Sequence, residues 1–273
     1  MRIDLHTHTT ASDGLLSPTE LIALARRERI DVLAITDHDT TAGLFEAGLA
    51  ASGSPVLIPG VEIGAEDDEQ AVDILGYCLD PEYPNLQAQL KVFREGRQDR
   101  GRRILDRLQS MGMPLGWERV LEIAEGGSLG RPHIAQAMVE AGYAESINDA
   151  FDRYLRTGGP AFVGRPKLTP EAAIELIHEA GGVAVLAHPG LIPYHLALIP
   201  RLIRAGLDGV EVQHAGNNYT VRENLRGLAR QHKLVMTGGS DFHRPRYDQL
   251  GSVNLSPETV PLLRARARRY RRD

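Results

Sequence analysis

Short apolar segments rich in β-branched residues recur along the chain, and most of them are followed by a polar or charged residue. Helical patterns separate several of these segments. Alternation of short strands with helices is typical of a parallel α/β sheet or barrel. The length of 273 residues suits one α/β barrel with an insertion. The predicted strands are Ile3–Leu5, Val32–Thr36, Val56–Ile58, Ala71–Leu75, Val183–Ala187, Gly209–Val212 and Leu234–Thr237.

Two of the predicted helices have clear start signals. Ser17-Pro-Thr-Glu20 combines an N-cap, a first-turn proline and a capping-box glutamate, and predicts a helix through Arg27. Thr169-Pro170 opens a second helix in the same way, and Gly181-Gly182 is expected to end it. Both helices lie between predicted strands, as an α/β architecture requires.

The alternation of strands and helices stops between about residues 85 and 160. Glycines and prolines punctuate this region and separate four consecutive helical patterns. We therefore predict an inserted all-helical subdomain at 85–159 that covers the active site, with 1–84 and 160–273 forming the barrel. The four predicted helices are Leu86–Met111, Trp117–Glu125, Pro132–Ala141 and Ile147–Arg156.

Composition excludes several classes of protein. The net charge of −5 argues against a broad surface for duplex DNA. The single cysteine, Cys78, allows no internal disulfide and is expected to be buried, so a reducing cytoplasm is the expected location. No apolar run approaches the roughly 18 residues of a membrane span. Nothing indicates an obligate protein partner.

Two arginine clusters stand out against the acidic balance, one between residues 94 and 107 and one between residues 264 and 272. We interpret the first as a salt-bridged, solvated helix face and the second as a disordered tail. Attraction of polyanionic substrates is the alternative.

Histidines and carboxylates fall at or near the ends of the predicted strands. His6 and His8 are two residues apart on a strand, so their side chains point to the same side. Asp241 and His243 repeat this spacing after the last strand. Because strand C-terminal ends converge on the active site of α/β barrels, we expect these groups to meet. The other members of the expected cluster are Asp13, His38, Glu62, Asp73 and His188.

Five imidazoles and four carboxylates exceed the needs of one ion, and carboxylates can bridge ions. We therefore expect two or three divalent metals. Mixed nitrogen and oxygen ligation suits borderline metals. Mn is the expected metal, with Fe, Zn, Co or Mg as alternatives. The remaining histidines His178, His195 and His232 show no partner pattern and are expected to be solvated.

The order and spacing of these residues resemble the polymerase and histidinol phosphatase (PHP) family. The resemblance covers about 1–80 and 160–273, and it implies a distorted (β/α)7 barrel around a trinuclear metal centre. Gly130-Arg131-Pro132-His133-Ile134 and 158–163 in the insertion resemble the branch of nucleoside 3′,5′-bisphosphate phosphatases. The motifs that carry the resemblance are His6-x-His8, Asp13, Thr36-Asp37-His38, Pro59-Gly60-Val61-Glu62, Leu186-Ala187-His188-Pro189 and Asp241-x-His243.

The resemblance also implies which residues hold each ion. Position 73 departs from the family pattern, which usually has histidine there. An aspartate adds charge and harder oxygen character, which favours Mn or Fe over Zn. Asp37 is expected to orient a ligand residue without binding the ion itself. The implied ligand sets are His6, His8, Glu62 and Asp241 for one ion, Glu62, Asp73 and His188 for the second, and Asp13, His38 and His243 for the third.

The implied reaction is hydrolysis of a phosphate ester by a metal-bridging hydroxide, with Glu62, Asp241 and His243 as catalytic residues. No nucleophile-elbow pattern is present, which disfavours covalent catalysis. The expected reaction removes the 3′-phosphate from nucleoside 3′,5′-bisphosphates, and 5′-to-3′ trimming of short oligoribonucleotides is a further reaction of this type. The alternatives are a phosphatase for histidinol phosphate or another small molecule, and a non-catalytic PHP module.

Substrate contacts are expected at eight positions outside the ligand set. Arg131 and His133 stand at a predicted helix N-terminus, where backbone N–H groups favour anions. Arg165 and Lys167 follow the insertion and are candidate phosphate contacts. Ser12 lies between two ligand candidates. The remaining candidates, for a sugar or base, are His214, Asn217 and Asn218.

Overall fold

The computed structural model describes residues 1–68, 70–124, 127–164 and 168–271. Seven strands form one sheet in sequence order. The two edges approach each other where Leu5 N–H donates to Gly238 O at 3.3 Å, so the sheet is nearly closed into a barrel. The strands are β1 (Ile3–Asp4), β2 (Val32–Ile35), β3 (Val56–Asp67), β4 (Gln70–Tyr77), β5 (Val183–Leu186), β6 (Gly209–Gln213) and β7 (Val235–Gly238).

One strand runs against the others and makes the barrel a distorted one. β1, β2 and β3 are parallel, as are β5, β6 and β7, whereas β4 is antiparallel to both of its neighbours. The predicted α/β barrel is confirmed. The carboxyl ends of six strands therefore meet the amino-terminal half of β4, which carries Asp73.

The third strand is longer than its apolar segment predicts. β3 continues through Pro59 and Gly60, and Glu62 lies inside the strand instead of following it. Proline and glycine normally weaken a strand, but here the close approach of β2 requires glycine. A Cβ atom on Gly60 would come within 2.9 Å of Ile35 O.

Ten α-helices occur in the described part of the chain. Ser17 forms the predicted capping box of α1, and Thr169 caps α7. The predicted fourth helix of the insertion continues from α6 into a π-helical turn, Phe151–Leu155. The helices are α1 (Pro18–Arg27), α2 (Gly43–Ala51), α3 (Pro84–Ser110), α4 (Trp117–Ile123), α5 (Arg131–Glu140), α6 (Ile147–Ala150), α7 (Pro170–Glu179), α8 (His195–Arg204), α9 (Tyr219–His232) and α10 (Thr259–Ala267).

The helices between β4 and α7 bury a hydrophobic core of their own. This core includes Ile104 and Leu108 from α3 together with Ile134 from α5. The first half of α3 instead packs on the barrel core through residues such as Leu86 and Leu90. One helix therefore joins the two cores, and the subdomain boundaries at 85 and 159 remain a prediction.

The C-terminal arginines up to Arg271 do not form the disordered tail that their composition suggests, and Arg272 lies outside the described residues. Arg264 and Arg266 belong to α10, which packs on the barrel. The chain beyond α10 is held where the Tyr270 hydroxyl donates to Asp208 at 2.9 Å. Cys78 is buried, as predicted. Among the residues described, we find no helix with the length and apolar character to cross a bilayer.

Candidate metal centre

Glu62 is the centre of the cluster that forms at the carboxyl ends of the strands. Its side chain is 1% exposed. Its Oε2 atom lies 3.3 Å from both His6 Nε2 and His8 Nε2. The same oxygen is 3.1 Å from His38 Nδ1, and Oε1 is 3.0 Å from His188 Nε2. One carboxylate thus touches four imidazoles from three different segments of the chain.

Two further carboxylates flank this centre. Asp241 Oδ1 lies 3.2 Å from His8 Nε2 and 3.4 Å from His6 Nε2. Asp13 Oδ1 lies 3.3 Å from His243 Nε2. Asp73, on the reversed strand, is more distant, with Oδ2 4.0 Å from the nearest imidazole nitrogen, that of His188.

The structure brings together all nine residues that the sequence assigns to the metal cluster. They form four groups in which one ligand atom from each residue lies within 4.8 Å of the others. One group coincides with the implied second ligand set, and another is the implied third set with His8 added. The groups are His8, Asp13, His38 and His243; His6, His188 and Asp241; His6, His8 and Glu62; and Glu62, Asp73 and His188.

The hydrogen bonding of the cluster fits the binding of cations. Both ring nitrogens of His8, Asp13 Oδ1 and His38 Nδ1 are buried without a hydrogen-bond partner among the described residues. Leaving such an atom unsatisfied costs about 1–3 kcal/mol. Carboxylate oxygens lie nearby but are not aligned to accept a hydrogen bond. Divalent metals with nitrogen and oxygen ligands would satisfy these atoms.

The electrostatics of the cluster also favour cations. Burial by itself lowers the pKa of His188, but its hydrogen bond to Glu62 and nearby carboxylates raise that pKa to about 9. Burial likewise opposes the shift at His243, where Asp13 raises the pKa to about 10. For His8, burial and the adjacent His243 lower the pKa to about 4. The carboxylates therefore create a negative potential, and protons compete with metals for these ligands.

A buried carboxylate behind the cluster was missed by the sequence analysis. Glu211 on β6 is fully buried, with Oε1 3.0 Å from His6 Nδ1 and Oε2 accepting from His188 N–H at 2.7 Å. The bond to Nδ1 directs His6 Nε2 towards Glu62. A glutamate between Val210 and Val212 in a buried strand is the signal that could have identified it.

Asp37 supports the cluster in a different way from the predicted one. Instead of orienting a ligand side chain directly, it holds the loop that carries Asp13. It accepts from Thr9 N–H at 2.7 Å, from the Thr9 hydroxyl at 2.7 Å and from the Ser12 hydroxyl at 2.6 Å. The hydroxyl hydrogen of Ser12, a predicted substrate contact, is therefore already used within the protein.

The chain follows an uncommon path at two members of the cluster. Asp241 has φ +54° and His188 has φ +27°, in the left-handed region that disfavours most residues other than glycine. Such conformations persist where the surroundings fix them, and they concentrate at functional sites. Gly239 permits the approach of this segment to β1, because a Cβ atom there would lie 2.2 Å from His6 Cβ.

A cavity of about 760 Å³ adjoins the cluster and lies between the barrel and the inserted helices. The barrel side presents Asp13, Asp241 and His243. The inserted helices line the other side with apolar residues, two amide-bearing residues and one histidine. These are Ile123, Ala124, Pro132, His133, Gln136, Ile147, Asn148 and Phe151.

Three predicted substrate contacts line this cavity: Ser12, His133 and His214. His133 is 8% exposed, and its Nδ1 accepts from Gly130 N–H at 3.0 Å. Burial lowers the pKa of His133, which favours the neutral ring. His214 is also buried, with Nε2 3.4 Å from Asp241 Oδ2 and Nδ1 accepting from Gly216 N–H. Both rings therefore carry their hydrogen on Nε2 when neutral.

The structure places other predicted contacts away from the cavity. Arg131 donates to Leu155 O at 3.0 Å, and its guanidinium lies over the rings of Phe151 and Phe162. Asn217 is fully buried, and its amide bonds Gly190 N–H and two carbonyl groups. It therefore has a scaffold role instead of the predicted substrate contact.

The remaining predicted substrate contacts are Asn218, Arg165 and Lys167. Asn218 is exposed and caps α9 by accepting from Val221 N–H at 3.0 Å. Arg165 and Lys167 lie outside the described residues.

One arginine on α3 is not part of a solvated face. Arg97 is 11% exposed and donates from Nε to Asp39 Oδ2 at 2.6 Å. Burial opposes its charge, but Asp39, with smaller contributions from Asp13 and Asp73, raises the pKa of Arg97. The solvated-face interpretation is therefore wrong for this residue, which places a fixed positive charge beside the cluster.

Comparison with known proteins agrees with this geometry. The family model for the PHP domain matches residues 4–161. The chain is 42% identical over 249 residues to the 5′-3′ exoribonuclease Rnm of Salmonella typhimurium, covering 89% of this chain and 85% of that protein. It is 37% identical over 250 residues to a 3′,5′-nucleoside bisphosphate phosphatase of Chromobacterium violaceum, covering 89% and 87%. A crystal structure from Bifidobacterium adolescentis, assigned as a metal-dependent phosphoesterase, superposes with a TM-score of 0.89 at 35% identity, covering 97% and 96% of the two chains.

Proposed function

Since this chain belongs to the PHP domain family and is a metal-dependent phosphoesterase, we propose that it removes the 3′-phosphate from nucleoside 3′,5′-bisphosphates. We propose that it also trims short oligoribonucleotides from the 5′ end. The names of its relatives include both activities. The two reactions break the same type of bond if RNA is cleaved between phosphorus and the 3′ oxygen of the first nucleotide.

The cavity beside the cluster is the observation that carries this proposal. Pockets for small ligands usually measure about 300–1,000 Å³, so a cavity of about 760 Å³ accepts a whole nucleotide. The barrel side supplies carboxylates and imidazoles that would hold the metal ions for a reacting phosphate. The side formed by Ile123, Pro132 and Phe151 offers an apolar surface for a nucleobase.

We assign the metal ligands as the resemblance implies. Glu62 would be shared between two ions, because it is the carboxylate that touches four imidazoles from three segments. Bound divalent ions lower the pKa of water and neutralise phosphoryl oxygens. Glu211 holds His6 in the orientation that ligation needs. The assigned sets are His6, His8, Glu62 and Asp241; Glu62, Asp73 and His188; and Asp13, His38 and His243.

The residues of the chain have three further tasks in this reaction. His133 donates from Nε2 to a phosphate oxygen of the bound nucleotide, because its Nδ1 is occupied by Gly130 N–H. His214 donates from Nε2 towards Asp241 and fixes the position of that carboxylate. The apolar side of the cavity excludes water from the base.

The atoms of the reaction balance without a further reactant. The oxygen of water forms a bond to phosphorus, and the bond from phosphorus to the ribose 3′ oxygen breaks. The 3′ oxygen leaves and gains a proton to become a hydroxyl group. A bisphosphate then yields inorganic phosphate and a nucleoside 5′-phosphate. An RNA yields the same nucleotide and a strand with a new 5′-phosphate.

A phosphate-release screen tests the proposal. Nucleosides that bear 2′, 3′ or 5′ phosphates, alone and in pairs, would be compared with histidinol phosphate in the presence of Mn. We expect the highest kcat/KM for the 3′,5′-bisphosphate. Glu62→Gln serves as the inactive control. Preferential hydrolysis of histidinol phosphate or of 5′-monophosphates would contradict the proposed substrate.

A further inference from the structure

We propose that the loop after His243 is a binding surface for the single-stranded RNA that continues out of the cavity. This proposal rests on the proposed function and deepens its RNA activity. We define the basic rim as Leu15, Arg244, Arg246 and Tyr247. Leu15 and Arg244 line the cavity. The rim therefore begins where the cavity that holds the reacting nucleotide opens to solvent.

Tyr247 is the main feature of the basic rim. Its ring is 77% exposed. The Arg244 guanidinium lies 5.0 Å from the centre of the ring. Exposed aromatic rings next to arginines form the stacking surfaces on which proteins bind the bases of single-stranded nucleic acids.

The loop is held in a fixed conformation, so the exposure of Tyr247 does not reflect a loose segment. Asp248 Oδ2 accepts from His243 N–H at 2.9 Å and from Arg244 N–H at 2.7 Å. Tyr247 N–H donates to Arg244 O at 3.0 Å. On the other side, Leu15 N–H donates to His243 O at 2.8 Å. These bonds tie the rim to a member of the metal cluster, which fixes its distance from the reacting phosphate.

The charge of the rim complements RNA. The whole chain carries a net charge of −5, yet this loop presents two arginines. Arg246 is exposed and forms no ion pair with any residue in the described ranges. Asp248, the acid at the end of the loop, is occupied by backbone N–H groups and by Arg244, whose Nε lies 3.9 Å away. Arginine at such a position suits a phosphate group.

The position of the rim predicts that only RNA uses it. In a 3′,5′-bisphosphate nothing follows the reacting phosphate. In an oligoribonucleotide the second nucleotide is attached to that phosphate, and the rest of the strand must leave the cavity next to the cluster. His243 is directly followed by the rim, so the second or third base can stack on Tyr247 while the phosphates pass Arg246.

The test compares two substrates of the holoenzyme. Tyr247→Ala should lower kcat/KM for a 5′-phosphorylated hexaribonucleotide about tenfold, because stacking contributes about 1–3 kcal/mol per base. The kcat/KM for adenosine 3′,5′-bisphosphate should not change. Tyr247→Trp should retain hexamer activity. The control Phe45→Ala removes an equally exposed aromatic ring, 78% exposed on α2, and should affect neither substrate.

A binding measurement separates this proposal from the proposed function. The affinity for a labelled hexamer with a non-hydrolysable first linkage would be measured by fluorescence anisotropy. Equal affinities of wild type and Tyr247→Ala would overturn the rim proposal, as would equal kinetic losses on both substrates. A wild type that hydrolyses the bisphosphate but neither binds nor cleaves the hexamer would overturn it too. A wild type that binds the hexamer through Tyr247 but leaves the bisphosphate intact would instead refute the proposed function.

Discussion

Histidines meet buried carboxylates at both ends of the barrel, and the two ends differ in how those groups are satisfied. At the carboxyl ends of the strands, Glu62 is surrounded by imidazoles whose polar atoms are partly unpaired. At the amino ends, Asp208 accepts from His178, from Ala184 N–H at 3.1 Å and from Tyr270. A histidine–carboxylate pair alone therefore does not indicate a metal. A metal site is indicated when unsatisfied donors and acceptors converge on one point.

We call the group of Asp208, His178 and Tyr270 at the amino ends of the strands the lower cluster, and the group around Glu62 at the carboxyl ends the upper cluster. The lower cluster corrects one expectation and explains why the C-terminal segment is held against the barrel. His178 was expected to be solvated, but its side chain is 17% exposed and its Nε2 lies 2.8 Å from Asp208 Oδ2. Its ring stacks on Tyr270 at 3.8 Å between centroids. We expect this cluster to stabilise the fold and the upper one to bind ions.

Removal of metal should have the largest effect, and it should act only on the upper cluster, at the carboxyl ends of the strands. Chelation should abolish phosphate release, and Mn should restore it, because metal binding lowers the pKa of water and so supplies hydroxide near neutral pH. Glu62→Gln should reduce kcat at least about a thousandfold, as expected for loss of a group that stabilises developing charge. Full activity of an exhaustively stripped sample would refute the mechanism.

A matched pair of substitutions compares the two ends directly. Glu211 and Asp208 are both fully buried, and each lies close to a histidine nitrogen, at 3.0 and 2.8 Å. Glu211→Gln should weaken metal affinity about 10–100-fold, because it removes the partner that orients His6. Asp208→Asn should leave metal affinity unchanged. Titration with Mn, followed by calorimetry, measures both, and equal affinities would remove the distinction between the ends.

The substitution of Asp208 should instead lower the stability of the protein. Asp208→Asn should reduce the free energy of unfolding by about 2–3 kcal/mol, because a buried charged acceptor with several donors is lost. Urea denaturation of the metal-loaded protein measures this change. The control Asp149→Asn breaks a surface ion pair with Arg153 and should change the free energy of unfolding much less. A cost no greater than that of the control would show that the lower cluster is not structural.

Substitution of Asp73, on the antiparallel strand β4, should have the smallest effect and should act specifically on metal binding. Asp73→Ala should lower metal content and rate together, whereas Asp73→His should keep the ions but change which metal supports the highest rate. Its distance of 4.0 Å from His188 makes it the most distant carboxylate of the cluster, so its effect should be smaller than that of Glu62. Metal analysis by mass spectrometry, paired with kinetics, would decide; wild-type behaviour of Asp73→Ala would remove this residue from the ligand set.

The sequence predicted the barrel and the members of the cluster because both follow from short-range patterns. Apolar segments indicate strands, and the ends of parallel strands converge. Asp73 joins the cluster for another reason, since its strand runs the opposite way and places an interior position near the others. That reversal depends on pairing between distant segments, which a local pattern does not contain.

Two failures of the sequence analysis, at Arg97 and Asn217, share a physical cause. Arg97 and Asn217 have polar side chains on segments that look solvated, and only the packing of α3 and the approach of Gly190 bury them. Glu211 left a local signal, a charge within an apolar strand, that was not used. Substrate contacts depend on which side chains face the cavity, and that is decided by the packing of the inserted helices.

The separate core of the inserted helices has a consequence for how such a protein can diverge. Substitutions that reshape α4, α5 or α6 are absorbed by a core around Ile134 and Leu108, and they reach the barrel mainly through α3. Selection can therefore alter the side of the cavity that faces the base without disturbing Glu62 and its neighbours. A new preference among phosphate esters is then accessible by small steps, each of which leaves the hydrolytic chemistry intact.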